Sequence, residues 1–214
     1  MDYSIRPVTT KDSDALSKIC LLTANFGTSA EHLHNHGELP GLIYALPYVN
    51  LPTTFGFVLR SHKEDGTEKE IVGYILGTWD TPTFNAAAEK DWYPELRLKY
   101  PLSPPDDTQR KDADQSYISR IHKPDSPPKE ILEFSPAHIH IDILPEAQRK
   151  GWGKKLIGSA VKFLLEKDPN MQGLWVGVDP RNEEGKRFYL KIGGKFHPTS
   201  HGECYALSFS EWKD

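Results

Sequence analysis

One run constrains this chain more than any other. From Ala137 to Leu144 the residues alternate, with Ile139, Ile141 and Ile143 on one side and His138, His140 and Asp142 on the other. A period of two over that length reads as a β-strand with one apolar and one polar face. Directly behind it stands "PEAQRKGWGKKLI", where Gly151 and Gly153 open a helix predicted over 151–167. Leu156, Ile157, Ala160, Val161, Leu164 and Leu165 form its apolar stripe. A buried strand, a tight glycine turn and an amphipathic helix, in that order, call for a sheet covered by helices.

The flanking sequence supplies the rest of such a sheet. Tyr3–Val8 reads as a strand, and Thr10 is placed to cap a helix carrying Ala15, Leu16, Ile19 and Cys20. A short helix is expected near Ala30–His36. Phe55–Arg60 and Glu70–Trp79 read as a hairpin around "SHKEDGTEK". After the central strand and helix come a strand at Gly173–Val178 and a helix from Asn182 to Ile192, closed by Gly193-Gly194. Strands at Lys195–His197 and Tyr205–Phe209 finish the chain. Between about 82 and 135 the composition turns polar and rich in Pro and Asp. A structureless stretch of that length is unusual in a compact domain, so it reads as an insertion with one or two helices, or a lid.

Composition narrows the function classes. The 214 residues suit one domain, 1–214, with that insertion inside it. No apolar run approaches a membrane span, and "MDYSIRPVTTKDSD" lacks the basic head and apolar block of a secretory signal. A net charge of −4 argues against a nucleic-acid partner. Two cysteines, Cys20 and Cys204, make no disulfide framework, and reduced buried thiols place the chain in the cytoplasm, with nuclear access left open. The expected state is a monomer or homodimer.

Against that acidic background, Arg149, Lys150, Lys154 and Lys155 crowd one helix start, with Lys186 and Arg187 further on. A helix N-terminus offers unpaired N–H groups and partial positive charge, and glycines let backbone approach a diphosphate closely. The P-loop pattern fails because Lys154 is followed by Lys155, and the dinucleotide fingerprint fails at Leu156. What does match is Gln-x-x-Gly-x-Gly, with Gln148, Gly151 and Gly153 directly after a buried strand.

"ILPEAQRKGWGKKLI" resembles the acyl-CoA-binding motif of the GNAT acetyltransferase superfamily, and "NEEGKRFYLKIGGKF" is similar to the motif that follows it there. Asn182 and Tyr189 match; Gly185 and Phe188 stand for an alanine and a leucine, and Lys195 precedes Phe196 as a departure. "PYVNLPTTFGFVL…GYILGTWDTPTFNAAAEKDWYPELRLKYP", taken with "HIHIDILPEAQRKGWG", looks like a narrower group, the acetyltransferase-like domain attached to O-GlcNAcases and its free-standing microbial relatives. The resemblance implies an α/β fold of the α+β type, with a mixed, mostly antiparallel central sheet flanked by helices and the insertion preceding the cofactor-binding strand. It implies an N-acetyltransferase that moves an acetyl group from acetyl-CoA directly to an amine acceptor, with no metal.

The residues that would bind coenzyme A are then Gln148, Arg149, Lys150, Gly151, Trp152, Gly153, Lys154 and Lys155 around the phosphates, with Lys186 nearby. Ile143 and Leu144 offer backbone groups to the pantetheine arm and the thioester oxygen, and Asn182 a hydrogen bond to the arm. Tyr189 matches the general acid that protonates the leaving thiolate. His140 and Asp142 are the preferred candidates for the base, with His138 a close alternative and Glu133 a distant one. Trp79, Trp92 and Tyr93 are candidates for an apolar acceptor slot, with packing the favoured role.

Two other readings compete. His138-x-His140-x-Asp142 opens like a metallo-hydrolase ligand run, with His197, His201 or the "EHLHNHGE" histidines to complete it. A regular strand, however, spreads those side chains along a line rather than around an ion. The remaining alternative is a non-catalytic domain of the same fold that binds acetyl-CoA or a protein partner.

Overall fold

The computed structural model describes residues 2–103, 109–199 and 202–213. Its centre is a seven-stranded sheet in the order β1-β2-β3-β4-β5-β7-β6. The strands are β1 (Tyr3–Pro7), β2 (Thr54–His62), β3 (Glu68–Thr78), β4 (His138–Ile143), β5 (Gly173–Val178), β6 (Lys195–Thr199) and β7 (Gly202–Ser208). Every pairing is antiparallel except β4 with β5, which run parallel. The predicted hairpin is present with longer strands, closing through Asp65 and Gly66.

The two faces of β4 organise two cores. Helix α8 (Trp152–Lys167) lays Leu156, Ile157, Ala160, Val161 and Leu164 on the isoleucine face, and α9 (Glu183–Lys191) adds Tyr189 there. On the opposite face, α1 (Ser13–Thr23) contributes Leu16, Ile19 and Cys20 to a second core with Tyr48, Tyr74 and Phe84. Two short helices, α2 (Leu39–Tyr44) and α3 (Pro47–Asn50), continue that layer.

Two sequence expectations shift here. Thr9, not Thr10, opens the first helical segment: its backbone N–H donates to Asp12 Oδ2 at 2.8 Å. Asp12 is fixed as a receiver by Arg6, whose guanidinium bonds both carboxylate oxygens at 2.8 Å. The helix expected near Ala30–His36 is one short turn at Glu31–Leu33.

The insertion is mostly helical: α4 (Thr81–Ala87) runs through a wider turn at Ala88–Trp92 into α5 (Tyr93–Lys99), followed by α6 (Asp112–His122) and α7 (Lys129–Phe134). Residues 104–108 of that region lie outside the described residues. A buried hydrogen bond fastens α6 to the body, between His34 Nδ1 and Asp114 Oδ1 at 2.8 Å. Asp114 also accepts the backbone N–H groups of Asn35, His36 and Lys111. So many donors on one fully buried carboxylate hold its pKa below the usual range despite burial, the largest opposing influence.

Candidate active site

β4 and β5 share one ladder pair, His138 with Trp175, beside which Trp175 N–H donates to Ala137 O at 3.0 Å. Beyond that point, among the described residues, β5 no longer pairs with β4. The other edge of β4 is fully laddered to β3, and Leu144 N–H donates to Val72 O at 2.8 Å. Antiparallel pairing alternates backbone direction, so the even residues of β4 bond β3 while the N–H groups of Ile141 and Ile143 face the gap. This sharpens the expectation for the thioester oxygen: Leu144 N–H is taken, whereas Ile143 N–H opens into a wedge between the strands.

The wide end of that wedge meets the start of α8. Arg149 and Gly151 both have positive φ, 58° and 83°, so the turn curls its N–H groups inward. Among the described residues no backbone acceptor takes the N–H of Arg149, Lys150, Gly151, Trp152, Gly153 or Lys154. A Cβ at Gly151 would meet nothing within 4 Å, so its conformation, and not crowding, calls for glycine. At Gly153 the reason differs: a Cβ would lie 2.9 Å from the Phe188 ring, where α9 packs on α8. The cradle therefore fits a diphosphate, as a ring of free donors at the positive end of a sixteen-residue helix.

The cations around it are partly committed. Arg149 Nη2 bonds Glu184 Oε1 at 2.8 Å. Lys150 Nζ donates to Glu146 O at 2.6 Å and sits 5.5 Å from the Tyr3 ring. Lys155 lies 4.1 Å over Trp152, which itself tilts against Tyr3, and Lys154 lies 5.8 Å over Trp212. Lys186 holds Glu183 at 3.0 Å and Glu203 at 3.2 Å. Gln148 acts as a tether, its Nε2 donating to Ile143 O at 2.7 Å and to Gly27 O at 3.2 Å.

On the polar face of β4, neighbours two residues apart differ sharply. His138 is buried, its Nε2 2.7 Å from Tyr48 Oη and its Nδ1 2.7 Å from Thr81 Oγ1. Thr81 gives its one hydroxyl proton to Pro136 O, so it accepts from Nδ1–H, and Nε2 accepts from Tyr48. Burial, then the neighbouring His140, pushes the His138 pKa down to about 3. His140 and Asp142 are 27% and 18% exposed and stand 3.7 Å apart, Nε2 to Oδ2. Tyr74 Oη donates to Asp142 Oδ2 at 2.6 Å and lies 3.3 Å from His140 Nδ1. With its proton committed to Asp142, Tyr74 accepts from Nδ1–H, leaving the His140 Nε2 lone pair free beside a carboxylate.

Comparison with known proteins fits this geometry. A model of the Acetyltransferase (GNAT) family matches residues 118–194, the span holding β4, α8, β5 and α9. The chain has the GNAT fold, and residues 118–194 are similar to the GNAT acetyltransferase family. The crystal structure of SsHAT is similar over 97% of this chain and 98% of that one, with a TM-score of 0.79 and 26% identity. The PaiA N-acetyltransferase from Thermoplasma acidophilum in complex with coenzyme A has a TM-score of 0.56 and 15% identity, over 96% of this chain and 98% of that one. For NAA60 of Arabidopsis thaliana in complex with acetyl-CoA the values are 0.53 and 14%, over 98% and 99%. The last two speak for the fold alone.

Helix α9 packs on the start of α8 through Phe188 and Gly153, and its Tyr189 lies close enough to Asp142 of β4 to feel that charge. Asn182 caps α9, Oδ1 accepting Gly185 N–H at 2.9 Å, which leaves the amide nitrogen for a ligand. Tyr189 stacks on Tyr205 with ring centroids 5.8 Å apart, and among the described residues nothing hydrogen-bonds its hydroxyl. Burial, then the charge of Asp142, holds its pKa above the ordinary phenol value, so it keeps its proton through the neutral range.

Other sequence candidates fall elsewhere. Trp79 lies on the α8 face, against Phe163 and under Lys167, away from the polar face of β4, in the packing role and not in an acceptor slot. Trp92 is pinned by Nε1 donating to Leu42 O at 2.8 Å. Tyr93 sits near Tyr44, its pKa pushed up to about 12, first by burial. Glu133 is exposed on α7. For the metal run, both His138 nitrogens are already engaged, and among the described residues no three His, Cys, Asp or Glu side chains gather to hold an ion. His201 lies outside the described residues. Cys20 and Cys204 are buried thiols, not joined in a disulfide. Sequence reasoning missed Tyr74. Its signal was available: pairing the predicted hairpin against the next strand sets Tyr74 opposite Asp142.

Proposed function

We propose that the chain, as one domain with residues 82–135 inserted, transfers the acetyl group of acetyl-CoA to an amine. The observation that carries this reading is the wedge between β4 and β5, with free N–H groups at its wide end and proton-handling side chains along its walls. The donor supplies an acetyl thioester. The N–H cradle of Arg149–Lys154 holds its phosphates, Asn182 its arm, and Ile143 N–H faces the carbonyl oxygen as negative charge develops there.

The acceptor enters as an ammonium and leaves as an amide, so it loses two protons. His140 Nε2 takes one and passes it to solvent, its imidazolium stabilised by Asp142 3.7 Å away. The freed lone pair attacks; the N–C bond forms and the C–S bond breaks. Tyr189 gives its proton to the departing sulfur and is restored by the second proton from nitrogen. Asp142 and Tyr74 hold His140 in the reactive tautomer, and His138 stays a structural residue.

Thiol release with a panel of primary amines tests the reading, with acetyl-CoA thermal stabilisation run alongside. Tyr189→Phe is expected to lower kcat by about 10²-fold or more while leaving the thermal shift intact. No stabilisation by saturating acetyl-CoA would sink every coenzyme-A reading.

One observation favours a second reading, a domain that binds acetyl-CoA without turnover. Arg149 and Lys186 are already paired with Glu184, Glu183 and Glu203, which weakens their call on phosphate. Stabilisation without thiol release from any amine would select it. The narrower kinship with O-GlcNAcase-attached domains is likewise proposed, on the sequence stretches that carry it.

A further inference from the structure

The insertion reaches the reacting imidazole through one aromatic ring. Tyr44, the last residue of α2, stacks on His140 with centroids 5.4 Å apart and planes 22° from parallel. The Tyr74 ring approaches from β3 at 5.7 Å, so the imidazole lies between two phenols. Tyr44 is itself held: Arg120 Nη1, from α6 of the insertion, donates to its hydroxyl, and Tyr117 of the same helix packs edge-on at 6.0 Å. Burial keeps the Tyr44 phenol neutral, a ready acceptor for that guanidinium. The far end of α6 is locked by the Asp114–His34 pair, so its register against α2 is fixed.

We infer that Tyr44, clamped by Arg120, is a positioning residue for His140 and that the insertion's part in the site is to hold this stack. The inference rests on the reading of His140 as the base. A phenol face attracts an imidazolium more than a neutral imidazole, so the stack favours the protonated state that His140 reaches on taking the acceptor's proton. It also fixes the ring plane that joins Nδ1 to Tyr74 Oη and leaves Nε2 beside Asp142.

The charged and titratable groups facing His140 come from its own strand and from β3, α2, α6 and α1. Its own strand offers Asp142 and His138, and β3 offers Tyr74. Tyr44 comes from α2, with Arg120 and Tyr117 behind it on α6; Cys20 of α1 lies beside Tyr74. Arg120 has Asp125 3.8 Å from its guanidinium, which offsets its charge toward solvent.

The decisive measurement is the NMR titration of the His140 ring in the full chain, assigned by its disappearance in His140→Gln, paired with pH–rate profiles. Tyr44→Leu is expected to lower the His140 midpoint by about half a pH unit. The acidic limb of kcat should move with it while KM for acetyl-CoA stays constant. Tyr44→Phe keeps the aromatic face but loses the clamp, so it is expected to hold the midpoint far closer to wild type than Tyr44→Leu while lowering kcat as Arg120→Ala does. Arg120→Ala is expected to reduce kcat several-fold, with Arg120→Lys restoring most of it. An unmoved midpoint in folded Tyr44→Leu overturns the inference. Should that variant fail to fold, Tyr44→Val read against Tyr44→Phe decides the same question. A midpoint that moves while the pH–rate profile does not confirms the stack and retires His140 as the base.

Discussion

Two histidines on one strand face, two residues apart, have been given opposite environments. His138 lies where β4 and β5 still pair, walled in by Trp175, Phe84 and Tyr48 with both nitrogens occupied. His140 lies where the strands have parted, open to the wedge, with one nitrogen free. The residue type and the spacing are the same; what differs is whether the sheet has closed over the ring. A histidine becomes a base only where its charged form is tolerated.

The largest expected contrast is in turnover. His140→Gln removes the free imidazole nitrogen, and kcat is expected to fall by about 10²- to 10³-fold with the melting temperature little changed. His138→Ala is expected to act the other way. It strips Tyr48 and Thr81 of their ring partner and opens a cavity, costing about 2–4 kcal/mol of stability. Chemical denaturation and steady-state rates on both variants read the crossing. Equal losses of kcat in the two would erase the contrast.

A second contrast is in pH. His138 has a folded pKa near 3 against an ordinary 6.5, so the unfolded chain binds its proton first as pH falls. Its share of stability is complete above 6.5 and drains as pH drops toward 3, by at most about 1.4 kcal/mol per pH unit. Asp114 has the same sign but acts lower: its folded pKa lies below 3.8, so its share drains only below the ordinary carboxylate range. Denaturation midpoints of the wild type and His138→Gln between pH 5 and 7 should therefore converge as pH falls. Parallel curves would mean that His138 is protonated in the fold.

The framework around the candidate site is legible in the sequence. The isoleucine alternation named the two faces of β4, and the glycine spacing named the α8 cradle, because both are local patterns. What was not readable was long-range. Tyr44 sits on a six-residue helix whose Pro40 and Gly41 look like breakers. Gly41 is instead a close-approach residue, since a Cβ there would lie 2.4 Å from Ser17 Oγ on α1. The "EHLHNHGE" histidines offered themselves as spare metal ligands at the end of a short helix, yet His34 turns inward to a carboxylate eighty residues on. Nothing in either segment announces its partner. The two histidines teach the same limit: a strand pattern assigns a face, and only the neighbouring strand decides which part of that face stays open.

The smallest effect is the most selective test of that last point. Tyr48→Phe deletes only the hydroxyl that donates to His138 Nε2, keeping the ring that stacks on Phe84 4.7 Å away. The lost hydrogen bond should cost about 1 kcal/mol, because a buried acceptor is left without a donor. An unpaired Nε2 also accepts a proton more readily, so the variant should lose stability less steeply than the wild type between pH 6.5 and 5. Turnover should stay within about twofold, since no group along the wedge is touched. A large loss of kcat in Tyr48→Phe would join His138 to the reacting network and dissolve the division between the closed and open ends of β4.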